Sequence, residues 1–144
     1  MTRLDNYDLD RFVQAQNVVY DQALAEIQSG QKRTHWMWFV FPQLAGLGSS
    51  PMARKYAIQN LDEAREYLKH PLLGARLREC AEAVLSVSGK SAHEIFGSPD
   101  DLKLRSCATL FAQASTDDSV FHRILRQYYS SDPDKETIRL LTIR

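Results

Sequence analysis

The chain has 144 residues, 44% of them hydrophobic, and its 18 Lys and Arg balance 18 Asp and Glu. That length and apolar content suit one domain, residues 1–144, with a proper core. A net charge of zero argues against a general nucleic-acid binder, whose affinity comes from neutralising phosphates.

Met1 to Asn6 carries no apolar run of the signal-peptide kind. No uncharged apolar segment approaches the ~18 residues that span a bilayer. A cytoplasmic protein with no membrane association is therefore expected.

Asp8 reads as an N-cap, and Leu9, Phe12, Val13, Tyr20, Leu24 and Ile27 follow at helical spacing until Gly30. A helix of about twenty residues, roughly 30 Å long, fits this pattern. Gln16 falls inside the apolar stripe, where it either bonds a neighbouring backbone group or faces a pocket. Trp36, Met37, Trp38, Phe39, Val40 and Phe41 then form a continuous apolar run. The spacing alone fits a helix or a buried strand. Thr34 as cap, Pro42 as stop and the lack of a strand partner predict a short buried helix. Gly46, Gly48, Ser49 and Ser50 make a loop, and Pro51 opens a short helix bearing Met52, Tyr56 and Ile58.

Asn60 with Glu63 resembles a capping box, ahead of a helix with Leu61, Ala64 and Leu68 on one face. His70-Pro71 breaks it. Leu73, Leu77, Cys80, Ala81 and Val84 line the next helix, ended by Gly89. Ser91 and Glu94 form a second capping box, for a short helix ending at Phe96-Gly97. Ser98 as cap, Pro99 at the first helical position and two following acids start another, carrying Leu104, Cys107, Ala108, Phe111 and Ala114. Thr116-Asp117-Asp118 caps a helix with Val120, Phe121, Ile124, Leu125 and Tyr128 inward. Asp132-Pro133-Asp134 starts a last one bearing Ile138 and Leu141. The sum is an all-α single domain of seven to nine helices around a short aromatic-rich central helix.

Both cysteines, Cys80 and Cys107, lie in apolar helical patterns and read as buried free thiols. No CxxC supports a zinc or redox site, and His70, His93 and His122 lack metal-ligand spacing. No metal and no cofactor is predicted.

The chemistry-bearing residues crowd into Lys32 to Ser50. Trp36 and Trp38 offer aromatic faces, Lys32 and Arg33 positive charge, Gln43 an amide, and Gly46, Gly48 and Ser49 exposable backbone N–H groups. Aromatic faces stack a planar group, while cations and loop amides hold phosphate or carboxylate. The loop lacks the lysine and spacing of a P-loop. His35 is the candidate acid or base, since an unperturbed imidazole titrates near neutrality. A second cluster adds Lys103 as a ligand-binding cation and Asp117 as the partner catalytic group.

Four stretches resemble one bacterial family, known as the domain of unknown function 1810 and sometimes labelled calpastatin. They are Phe12 to Gln16, Lys32 to Leu44 with Gly46-Leu47-Gly48, Tyr67 to Gly74, and Ile95 to Ser106. The resemblance covers nearly the whole chain. It implies a mainly α-helical fold and supplies no activity. Thr34 stands where the family often has serine, which leaves a capping hydroxyl in place. The calpastatin label implies protease inhibition, which none of these residues supports. A shorter stretch, Lys103 to Phe111 with Ala114 to Asp118, is similar to the end of the NADAR domains, which are helical and connected with NAD and ADP-ribose metabolism. It lacks their flanking tryptophan-glycine signature.

The expected function is binding of a small anionic or nucleotide-like metabolite, ADP-ribose among them, at Lys32–Ser50. Were the chain an enzyme, it would be a hydrolase or glycosidase using His35 or Asp117. The alternative is a non-enzymatic protein-interaction module in which the same segment is purely core.

Overall fold

A computed structural model describes residues 7–143. The expectation about Met1 to Asn6 falls outside them. Among the described residues there are nine helices: α1 Asp10–Ser29, α2 Met37–Val40, α3 Pro51–Lys55, α4 Leu61–Lys69, α5 Leu73–Ser86, α6 Ala92–Phe96, α7 Asp100–Gln113, α8 Val120–Tyr129 and α9 Lys135–Thr142. The expected all-α fold is found, and so is the short helix in the aromatic run.

Helix α7 is the axis of the packing. Leu104, Ser106, Cys107, Ala108, Thr109, Leu110, Phe111 and Ala112 are buried in sequence, on every face. A helix buried all round needs neighbours on all sides, and α4, α6, α8 and α9 supply them. Its two hydroxyls are satisfied within the helix, Ser106 Oγ donating to Leu102 O and Thr109 Oγ1 to Arg105 O. Helix α5 joins α1, α4 and α8 into the same core. A line of rings runs through it: Phe12 meets Tyr67 edge-on at 5.1 Å, Tyr67 meets Phe111 at 5.4 Å, and Phe111 meets Phe121 at 5.5 Å. Such contacts add to the area that each ring buries.

Several expected caps hold. Gly30 adopts φ 80° and returns its N–H to the end of α1, a conformation that costs a glycine little. Ser50, with Pro51 behind it, accepts from Ala53 N–H, and Ser91 with Glu94 forms a reciprocal box. Asn60 caps α4 as expected, but the Glu63 carboxylate accepts from Gln59 N–H instead of closing the box.

Other starts are corrected. Asp8 sits at φ 51° and makes no cap; Leu9 holds the cap position. The α1 start is tied by Arg11, whose guanidinium donates to the carbonyls of Asp8, Lys55 and Ala57. Thr34 does not cap the aromatic helix, which begins after Trp36. Ser98 caps nothing, since Pro99 occupies the cap position of α7. Ser119, not Thr116 to Asp118, caps α8, with His122 in the reciprocal role usually taken by Glu. Helix α5 ends at Ser86, before Gly89. In α9, Asp134 captures Thr137 and sets the phase, so Thr137 and Leu140 are buried while Ile138 and Leu141 are only partly covered.

Tyr56 and Ile58 lie beyond the end of α3. Ile58 pairs with Leu44 in a parallel β-bridge, Ala45 N–H donating to Ile58 O and Ile58 N–H to Gln43 O, each at 2.8 Å. The aromatic run thus has no strand partner, but the residues just after it do.

Candidate functional site

The segment after α1 is held by a buried carboxylate. Glu26 is 6% exposed. Its Oε1 accepts from Arg33 N–H at 2.9 Å, Thr34 N–H at 3.1 Å and the Trp36 indole N–H at 2.9 Å. Its Oε2 accepts from the Thr34 hydroxyl at 2.8 Å and the Gln22 amide at 3.1 Å. Burial acts to raise the Glu26 pKa, but the hydrogen bonds from Arg33, Trp36 and Thr34 together outweigh it and bring the group from 4.5 down to about 2. Glu26 lies on the same stripe of α1 as Phe12, Gln16, Ala23 and Ile27, all buried. That register is the sequence signal by which it was there to be found.

This knot fixes where the aromatic run goes. Trp36 is fully buried, against Phe41 and Phe96, and lines neither of the clefts described below. Lys32 is also drawn inward: its Nζ sits 2.9 Å from Asp100, donates to Thr34 O at 2.6 Å and lies 4.9 Å over the Trp36 ring. Arg33 and His35 point outward and are exposed. Gln16 is sealed as well, its amide donating to Phe39 O at 2.6 Å and to the Tyr67 hydroxyl at 3.0 Å. The backbone-bonding expectation for Gln16 is the one met.

Beyond Pro42 the segment surfaces. The loop from Gly46 to Ser50 separates two clefts. One, of about 370 Å³, is lined by Gln43, Gly46, Gly48, Ser49, Arg54 and neighbours. The other, of about 420 Å³, takes Gln43, Gly48 and Ser49 together with Lys103, Ser106, Asp134 and Glu136. Both volumes suit a small ligand. Gln43 is half-buried and faces both, and its side-chain amide has no protein partner among the described residues. Arg54 likewise makes no ion pair there. Lys103 lies 5.4 Å over the half-buried Trp38 ring and 3.6 Å from Asp100. The two carboxylates of the second cleft are already engaged: Asp134 caps α9 through Thr137, and Glu136 pairs with Arg139.

The structure therefore brings together Gln43, Gly46, Gly48, Ser49 and Lys103, with Trp38 beneath Lys103. It leaves Lys32, Arg33, His35, Trp36 and Asp117 out of both clefts. Asp117 is exposed in the turn before α8, and no hydrogen bond or ion pair joins it to His35 among the described residues. Arg54, one turn past the glycine loop, is the cation that sequence reasoning passed over. No group of His, Cys, Asp and Glu among the described residues is arranged to hold a metal ion. The buried free thiols are as expected: burial pushes Cys80 up to about 12 and Cys107 well above its usual range. No described helix is long and apolar enough to cross a membrane.

Comparison with solved structures finds the conserved hypothetical protein Rv1873 from Mycobacterium tuberculosis, 53% identical, with a TM-score of 0.94 over 96% of this chain and 99% of that one. No curated protein matches. The model of one family, "Protein of unknown function (DUF1810)", matches residues 6–141. With nearly every residue covered by that match, the chain belongs to the DUF1810 family.

Proposed function

We propose that the protein binds a small anionic metabolite, of nucleotide or sugar-phosphate type, in the paired clefts around Gly46–Ser50. The observation that carries this reading is Gln43: a half-buried amide facing two clefts with no protein partner among the described residues. Such an amide reads a polar edge of a ligand, since it can both donate and accept. Arg54 on one side and Lys103 on the other take negative charge, and the Gly48-Ser49 backbone lies between them. Trp38 backs Lys103. His35 and Asp117, the acid or base candidates for hydrolysis or glycosidic cleavage, line neither cleft. Binding is accordingly the function we advance.

A thermal-shift screen against nucleotides, NAD, ADP-ribose, sugar phosphates and small carboxylates tests it. Ligand at a hundred times its dissociation constant stabilises the fold by about 2.7 kcal/mol. The shift should vanish in Gln43→Ala and in a Lys103→Met, Arg54→Met pair. No shift with any compound, or one that survives these changes, would remove the site from this loop.

A further inference from the structure

A cleft of about 600 Å³ opens between α4, α5 and the start of α8, and it shares no lining residue with the clefts beside Gly46–Ser50. Its cations come from separate parts of the chain: Arg65 and Lys69 one turn apart on α4, Arg78 on α5 and Arg123 on α8. Glu82 is the one acid in its lining. We propose that this cleft binds a compact polyanion of the pyrophosphate or phosphate-ester class.

Arg78 is the centre of the argument. Among the described residues it has no carboxylate partner. Its Nη1 donates to Leu68 O at 3.2 Å, which anchors the guanidinium at the end of α4 and leaves its other N–H groups unused. The approach depends on Gly74. A Cβ there would stand 2.1 Å from Leu68 O and 2.9 Å from Arg78 Nη1, so only a residue without a side chain lets α5 and its arginine sit so close. Arg78 is exposed, and tethered in this way it presents a planar fork that matches phosphoryl oxygens in pairs.

The other cations hold acidic partners, Arg65 with Asp62 at 3.3 Å, Lys69 with Glu66 at 3.6 Å and Arg123 with Glu82 at 3.0 Å. Every member of these pairs is at least 41% exposed, so water and salt weaken each pair. A multiply charged ligand in the cleft replaces them with closer contacts. The hydroxyls of Ser115 and Thr116 line the same space and have no protein partner among the described residues, so they supply donors to a phosphoryl group. One carboxylate would not need this convergence of cations from three helices; several oxyanions would.

The test uses inorganic pyrophosphate, titrated into the full-length ¹⁵N-labelled chain at fixed ionic strength, with acetate in parallel. Saturable shifts are expected at Arg78, Ser115 and Thr116 with pyrophosphate and not with acetate. Arg78→Gln and Arg123→Gln should each weaken binding at least tenfold. Should Arg78→Gln fail to fold, Arg123→Gln and the exposed Lys69→Glu carry the comparison. ADP, run beside pyrophosphate, tells a nucleotide source (tighter with ADP) from a free one. Absence of saturable shifts, equal shifts with acetate, or unchanged affinity in the folded variants would overturn the proposal. Gln43→Ala leaves this binding unaltered, so failure here and failure of the loop clefts are read separately.

Discussion

Replacing Glu26 by alanine removes the acceptor for Arg33 N–H, Thr34 N–H and the Trp36 indole N–H. Each buried donor left unpaired costs about 1–3 kcal/mol. The indole is sealed in the core, while the two backbone groups are part-buried and can recruit water. A loss of about 3–5 kcal/mol follows from these terms, against a typical domain stability of ~5–15 kcal/mol. For a chain of this size each kcal/mol moves the melting point by about 2–4 °C, so a fall of roughly 6–20 °C is expected. Glu26→Gln keeps one oxygen in place, and the Thr34 hydroxyl can rotate to accept; its cost should be about 1–2 kcal/mol. Urea unfolding followed by tryptophan fluorescence measures both. Acid adds a signature. The Glu26 pKa is depressed in the folded state, so the stability it supplies is complete above its ordinary value and is lost as pH falls from 4.5 toward about 2. The gap between wild type and Glu26→Gln should narrow across that window. An alanine variant within 1 kcal/mol of wild type, or a glutamine variant as damaged as the alanine one, would refute the idea that this carboxylate organises the turn.

The remaining predictions concern close packing and burial. Gly74→Ala puts a methyl 2.1 Å from a backbone oxygen and should cost about 1–3 kcal/mol or more; calorimetry reads it, and an unchanged melting point would mean that α4 and α5 do not meet this way. Cys80 and Cys107, buried and held protonated, should resist a thiol reagent at pH 8 in the native state and both react in denaturant. Prompt native labelling of either would contradict its burial.

Much of the fold was legible because it rests on local rules. The 3.6-residue spacing in α1 and α5, Gly30 after α1, and the Ser91–Glu94 box each depend only on residues within a few positions. Some misreadings, such as Ser119 capping α8 in place of Thr116 to Asp118, are shifts of a residue or two; others come from competition by partners outside the local element. Thr34 is a good capping residue, but its hydroxyl was taken by Glu26 from the preceding helix. Glu63 was claimed by Gln59 N–H on one oxygen and by Arg11, 52 residues earlier, on the other, instead of closing its own box. Trp36 and Trp38 look alike in sequence; one is sealed because its N–H found Glu26, and the other stays half-exposed beneath Lys103. The cationic cleft gave no local signal at all, since Arg65, Arg78 and Arg123 meet only through the packing of three helices.

The Leu44–Ile58 bridge has a consequence for how this molecule can change over evolutionary time. Two backbone hydrogen bonds close the segment between them at its base. Inside that closure Tyr56 still reaches the core, against Phe12 and Phe39, and Leu47 and Met52 pack on it, while residues 48–51 are exposed. Closure entropy grows slowly with length, by only about 0.6 kcal/mol for each doubling. The exposed residues 48–51 can therefore be lengthened at little thermodynamic expense while the packing around them stays fixed. The fold thus carries one extensible loop tip, and relatives with the same core are free to differ in what that tip recognises.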